Sequence, residues 1–198
     1  MSSYVLVLVA CYLLGSIPVG YWTGRLKGVD VRQHGSGNIG MTNVIRVLGT
    51  AAGLAVLLGD VAKGAIAAWL GHAVGGPVLA ALGGLAAVAG HNWSIFLGGR
   101  GGRGVATSAG AVLALAPWVA VSAVAVWAVT VLATRYVSVG SIVAGLSTPV
   151  FMLLYGQPAA YVLLGAAVAA LIVLQHRPNL RRLRQGTEFR VGSGRSGR

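Results

Sequence analysis

Long apolar runs alternate with short polar, glycine-rich stretches along most of the chain. A helix rises about 1.5 Å per residue, so about 20 consecutive apolar residues are needed to cross a bilayer. The first run, from about Tyr4 to about Thr23, ends in GSIPVGY (15–21), where Pro18 removes a backbone donor and Gly15 and Gly20 permit bending or close helix contact. The second covers about Thr50 to Gly71 and ends in the uncharged turn HAVGGP, and the third runs from about Pro77 to Leu97. Beyond it the apolar sequence continues to Thr134, about 30 residues, too long for one untilted crossing. Pro117 and Trp118 interrupt it, which predicts two shorter helices with a tight turn. After TRYVSVGS (134–141) a sixth run reaches about Tyr155, GQP turns the chain, and a seventh extends from about Ala159 to Gln175. Nothing alternates residue by residue, which argues against a transmembrane β-barrel. The predicted fold is an all-α integral membrane protein of about seven transmembrane helices, one domain over 1–198. Its basic tail, 176–198, ends in VGSGRSGR, a composition typical of disorder.

Composition agrees, and charge adds an orientation. Only 9% of the 198 residues are charged and 56% are hydrophobic, against about 25% charged in a soluble domain. The net charge is +12. With seven spans, one side of the membrane receives Arg25, Lys27, Arg32, Arg46, Arg100, Arg103, Arg135, Arg177 and the tail arginines, while the turns near 72–77, 116–118 and 155–158 carry no Lys or Arg. Of fifteen basic residues only Lys63 falls inside a predicted span. The positive-inside rule makes the basic side cytoplasmic, with the N-terminus outside and the C-terminus inside. In so apolar a chain the positive charge points to anionic lipids and anionic substrates rather than nucleic acid. Met1 to Tyr4 carry no positive side chain, so the first run does not read as a cleaved signal peptide. Cys11, the single cysteine, reads as packing.

The polar clusters all fall on the basic side. Residues 30–49, DVRQHGSGNIGMTNVIRVLG, gather Gly35, Ser36, Gly37, Asn38, Gly40, Thr42 and Asn43, with Arg46 one turn beyond. Glycines let backbone amides approach a ligand, and amides plus one cation form an anion nest. On this stretch alone a flexible loop between helices remains equally open. GGRGGRGVAT (98–107) places Arg100 and Arg103 among glycines before a new helix, whose free N–H groups attract anions. By itself it would be a basic stop signal; beside the first cluster, the phosphate reading is the better one. In GHNWS (90–94), His91 and Asn92 read as helix glue or part of a cavity wall. Asp60 and Lys63, three residues apart on one face, read as a buried structural pair. Ser138 and Ser141 read by default as helix caps. His176 and Asn179 lie about one turn apart if the helix continues, against which Pro178 argues, and LRRLRQGTEFRV reads as a basic surface segment.

Much catalytic equipment is missing. Three acidic residues, Asp30, Asp60 and Glu188, nearly exclude a paired-carboxylate mechanism and a hard-metal cage. No His is followed five residues later by Asp, there is no GxSxG elbow, and no metal-ligand cluster is present, so neither metal nor cofactor is expected. An enzyme so built would use an already activated substrate and work by positioning and charge neutralisation.

With LLGSIPVGY, DVRQHGSGNIGMTNVIRVLG, GHNWSIFLGGRGGRGVAT, TRYVSVGSI and HRPNLRRL in this order, nearly the whole chain resembles the bacterial acyl-phosphate:glycerol-3-phosphate acyltransferases. The resemblance implies a seven-helix bundle in the bacterial inner membrane with a cytoplasmic active site. It implies transfer of a fatty acyl group from acyl phosphate to the 1-hydroxyl of sn-glycerol 3-phosphate, with those two substrates and membrane lipids as partners. It further implies that Ser36 and Arg46 bind substrate phosphate, with Gly37, Asn38, Thr42 and Asn43 shaping the pocket. Gly101, Gly102 and Arg103 would form a second phosphate site, and Ser141, His176 and Asn179 would complete the glycerol-phosphate and acyl-phosphate pocket. Arg100 and Arg103 stand where members commonly have lysines, and Met41 where alanine is usual. Charge survives, but a planar guanidinium contacts phosphate differently from a compact ammonium. Asp30 is the one carboxylate expected near enough to act as a base; otherwise a substrate phosphate takes the hydroxyl proton. A small-anion transporter or channel is the alternative class, but the outer turns hold little that is polar beyond His72 and Gln157.

Overall fold

The structure, a computed structural model, describes residues 2–192, and among these there are helices and turns but no strand. Helix α1 (Ser2–Ser16) stops at Ile17–Pro18, where proline supplies no N–H, and α2 (Val19–Leu26) follows. After a polar loop come α3 (Met41–Leu48) and α4 (Thr50–Asn92). Helix α4 is two helices merged across a kink: Gly75 and Gly76 leave helical angles, Gly76 at φ 65°, and Pro77 restarts the coil. Its arms fold back on each other, with Gly71 against the Leu79 carbonyl and Gly83 against that of Ala67. The remaining elements are α5 (Val105–Leu115), α6 (Pro117–Thr134), α7 (Val137–Leu154), α8 (Ala159–Gln175) and α9 (Arg177–Arg184).

Each of the seven apolar runs is helical. Ser3–Leu26, Thr50–Leu97, Pro117–Thr134 and Val137–Leu154 are long and apolar enough to cross a membrane, and α8 with α9, bent by 51°, makes a fifth candidate. The break at Pro117 falls where expected, but α5 starts only at Val105. Its 11 residues reach about 16 Å, half a hydrocarbon core. The outward surface is apolar, with Leu58, Leu132, Leu154 and Leu163 exposed, as lipid requires.

Lipid tails offer helices no hydrophobic gain on association, so close contact must hold them. Gly15 and Gly90 let α1 touch the second arm of α4 backbone to backbone, and Gly64 and Gly110 do the same between α4 and α5. One polar group is built into this framework. The expected pair forms, Lys63 Nζ lying 2.9 Å from Asp60 Oδ1. His91 joins it, Nδ1 2.8 Å from Lys63 Nζ, and Lys63 also donates to the Ile17 carbonyl at the α1–α2 break (3.0 Å). The cation is neutralised where it stands, as a charge inside a span must be.

Candidate active site

The polar stretch after α2 is folded, not slack. Asp30 accepts the Arg32 N–H (3.0 Å) and pairs with its guanidinium (2.7 Å), capping the short 3-10 turn Val31–Gln33. The side-chain hydrogen bond from Arg32 holds the Asp30 carboxyl down to about 2. Asp30 does not line the site, so the expectation of a base there is corrected: it is a cap. Gly35 (φ 59°) and Gly37 (φ 71°) take the left-handed angles that turn the loop around the amide of Asn43. That amide is its hub: Oδ1 accepts the Ser36 N–H at 2.8 Å, and Nδ2 donates to the carbonyls of Val31, His34 and Asn38 at 2.9–3.1 Å. Both polar side-chain atoms of Asn43 are thereby engaged, so it shapes the loop, and it borders the cavity described below. Ser36, Asn38, Thr42 and Arg46 face the cavity described below, whereas Gly37 serves the turn.

The glycine loop 98–104 is organised by His91 and Asn92. Gly101 N–H donates to the Asn92 carbonyl (3.1 Å) and Gly102 N–H to that of His91 (2.9 Å), and a Cβ on either would collide with His91. The free amides expected at Gly101 and Gly102 are therefore not free; these glycines permit close packing. The groups that face the cavity are Arg103, Gly104, Val105 and Ala106, at the uncapped N-terminus of α5, where the dipole is positive. Arg100 is exposed and lies outside the cavity, and Met41 lines it.

The tail completes the site. His176 Nδ1 donates to the Ile172 carbonyl at 2.8 Å, leaving Nε2 as a free acceptor. Pro178 does not prevent a regular helix: it sits in the first turn of α9, where its missing N–H is not needed. Helix α9 closes in a Schellman motif, Thr187 N–H to the Arg182 carbonyl and Gly186 N–H to that of Leu183, with Gly186 at φ 70°. The chain then reverses. Glu188 Oε1 receives Ser138 Oγ (2.9 Å) and Asn179 Nδ2 (2.6 Å), and Oε2 receives Arg182 Nε (2.7 Å). Phe189 lies under the Arg46 guanidinium at 4.7 Å, and Val191 N–H ties the tail to the Arg135 carbonyl at 2.8 Å. The segment expected to be a generic basic surface is thus a wall of the site. The disorder expected of 191–198 concerns, from residue 193, a part outside the described residues. Ser138 is not a cap but a Glu188 ligand, and Ser141 bonds the Val137 carbonyl within α7 while lining the cavity.

These three segments surround one end of a cavity of about 350 Å³. Ser36, Asn38, Arg46, Arg103, His176, Asn179 and Glu188 form the polar end; Val112, Ala120, Trp127, Ala144, Val168 and Ile172 continue it between α5, α6, α7 and α8. Sequence reasoning missed Arg182, Glu188 and Phe189. The readable signal was the helix stop RQGT, which turns a chain back.

The electrostatics are lopsided. Three arginines, Arg46, Arg103 and Arg182, gather around one carboxylate, Glu188. Among the described residues neither Arg46 nor Arg103 has an ion pair or a side-chain hydrogen bond. Burial pulls Arg103 down to about 10, and repulsion from Arg182 and Arg46 adds to it. Burial pushes the Glu188 carboxyl up, but hydrogen bonds from Asn179, Arg182 and Ser138 outweigh it and hold the group below its usual range. Burial, with Arg103 nearby, drives His176 down to about 4. Asn179 Oδ1 is buried without a partner. The arrangement suits an amphiphile: two unneutralised cations, two neutral acceptors, and an apolar channel beyond.

Comparison with known proteins agrees. The family model for glycerol-3-phosphate acyltransferase matches residues 5–186. A glycerol-3-phosphate acyltransferase 2 of Moorella thermoacetica is 50% identical over 190 residues, covering 96% of this chain and 98% of that protein. The crystal structure of PlsY (YgiH), an integral membrane glycerol 3-phosphate acyltransferase, in its glycerol 3-phosphate form superposes with a TM-score of 0.93 at 41% identity, covering 96% of each chain. Its lysophosphatidic acid form gives 0.91 at 40% identity, again over 96% of each chain.

Proposed function

The chain belongs to the glycerol-3-phosphate acyltransferase family, and we propose that it transfers an acyl group from acyl phosphate to the 1-hydroxyl of sn-glycerol 3-phosphate. The products are lysophosphatidic acid and phosphate, the first step of phospholipid synthesis. The observation that carries this reading is the pair of half-buried arginines, Arg46 and Arg103, with no carboxylate of their own, at the head of an apolar channel. A phosphate with an acyl chain attached fits that gradient, and a second phosphate balances the second cation.

Ser36 and Arg46 hold the acceptor phosphate, and Arg103 with the first amides of α5 holds the donor phosphate. Asn179 Oδ1 and His176 Nε2 accept hydrogen bonds from the glycerol hydroxyls. Gly37, Asn38, Thr42, Asn43, Gly101, Gly102 and Ser141 keep these groups in place. Holding two phosphates side by side against their repulsion supplies proximity that solution cannot. The glycerol oxygen bonds to the carbonyl carbon, the carbon–oxygen bond to phosphate breaks, and the hydroxyl proton leaves on a phosphate oxygen. Phosphate, with its second pKa at about 6, is a better base than His176 at about 4. Glu188 is a poor one, since both its oxygens are already engaged.

The whole chain, 1–198, acts as one acyltransferase domain in the bacterial inner membrane, crossing it about seven times, with the N-terminus outside and the basic, polar end in the cytoplasm. The lopsided distribution of Lys and Arg supports that orientation. The test is to incubate purified protein with acyl phosphate and labelled glycerol 3-phosphate. Labelled lysophosphatidic acid is the expected product. Its absence, with both substrates intact, would leave a transporter or a lipid-binding scaffold instead.

A further inference from the structure

A hydroxyl inside an apolar helix normally bonds the carbonyl one turn back, because its surroundings offer nothing else. Thr130, Thr134, Ser141 and Thr148 all do so at 2.7–2.9 Å. Ser108 does not. It is 3% exposed, and its Oγ has no partner. Its backbone follows the helix, the Ser108 N–H donating to the Gly104 carbonyl at 2.8 Å, so only the side chain departs from the pattern. Two other buried hydroxyls among the described residues are also unpartnered, those of Ser16 and Thr107, but neither residue lines the cavity; Ser108 does.

Its depth identifies the ligand atom. Ser108 lies one helical turn, about 5.4 Å, beyond Gly104 at the polar end and one turn before Val112 at the apolar end, and all three line the same space. A donor whose phosphate rests on Arg103 and whose chain runs past Val112 carries its carbonyl at the level of Ser108. That carbonyl oxygen is the only acceptor an acyl group offers there.

We propose that Ser108 Oγ donates a hydrogen bond to the acyl carbonyl oxygen of the donor and keeps it as that oxygen becomes the tetrahedral oxyanion. This rests on the acyl-transfer reading above. Ser108 gives up no proton. The glycerol oxygen adds to the carbonyl carbon, the electron pair returns from the oxyanion, phosphate departs, and the hydroxyl proton leaves on a phosphate.

The test is Ser108→Ala in the full-length protein, with acyl phosphate and glycerol 3-phosphate as substrates. Loss of one oxyanion donor lowers kcat by about 100-fold, with KM for glycerol 3-phosphate within about twofold of wild type. The thermal midpoint of the substrate-free protein stays level or rises, because a buried hydroxyl without a partner is removed. A packing role would lower rate and midpoint together. The proposal is overturned if kcat stays within about threefold of wild type, or if its loss comes with a lowered midpoint or a variant that does not fold. A wild-type protein that makes no lysophosphatidic acid overturns both this assignment and the acyl-transfer reading, whereas an active wild type with an equally active Ser108→Ala overturns this assignment alone.

Discussion

Two buried carboxylates, Asp60 and Glu188, hold their neighbours in different ways. Asp60 lies within α4, paired with Lys63 three residues on and with His91 from the opposite arm. Glu188 lies beyond α9 and ties it to α7, 50 residues away. The first group is balanced, one carboxylate to one cation. The second leaves Arg46 and Arg103 without ion pairs of their own. Deep in a membrane, a charge has to be matched within the framework or it destabilises the fold. At the polar end of the cavity a surplus cation is tolerable, and the surplus is what an anionic substrate meets. Asp60 and His91 also border the cavity, but Asp60 is matched where it stands and belongs to the scaffold, whereas Glu188 belongs to the scaffold and the site at once.

The largest effect is expected from Asp60→Asn, which strands Lys63 in the membrane. Stability should fall by about 3–5 kcal/mol, read as thermal unfolding in detergent. Replacing both partners, Asp60→Leu with Lys63→Met, should recover most of it, because no uncompensated charge remains. Glu188→Gln comes next. It removes charge-assisted hydrogen bonds worth about 1.5–3 kcal/mol, and initial rates should fall by about 10- to 100-fold with a smaller loss of midpoint. If Glu188→Gln destabilises more than Asp60→Asn, the division into scaffold and site is wrong.

A smaller effect is expected from pH. The unfolded chain takes a proton on His176 near pH 6.5, whereas the folded chain resists until about 4. Stability is therefore fully present above pH 6.5 and falls as pH drops through this window, by about 2 kcal/mol at pH 5. His176→Gln should flatten the slope in unfolding curves measured across that range. The smallest effect is expected of Arg103→Lys, which keeps charge and loses the planar fork. KM should shift by no more than about tenfold, or about 1.4 kcal/mol, with turnover retained.

Much of the framework could be read from sequence because its causes are local. Pro18, the GGP at 75–77 and Pro117 end or bend helices where they stand, and an i,i+3 Asp–Lys pair shares a face on any helix. Ser36, Arg46, Arg103, His176 and Asn179, each singled out from the sequence, line one cavity. What could not be read depends on the third dimension. Gly101 and Gly102 look like an anion nest until the carbonyls of Asn92 and His91 are seen occupying their amides. Glu188 looks like one more charge in a basic tail until the turn at Gly186 carries it back to Ser138. Asn43 looks like one more pocket residue until its amide is found holding the whole loop together.

The central claim is that the surplus cations at the cavity's polar end hold the substrate phosphate. The most direct measurement is an experimental structure of this protein with glycerol 3-phosphate bound. The account predicts the phosphate within hydrogen-bond distance of Arg46 and Ser36, with the glycerol hydroxyls toward Asn179 Oδ1 and His176 Nε2. A phosphate bound outside the cavity, or within it with Arg46 turned away onto Glu188, would contradict it.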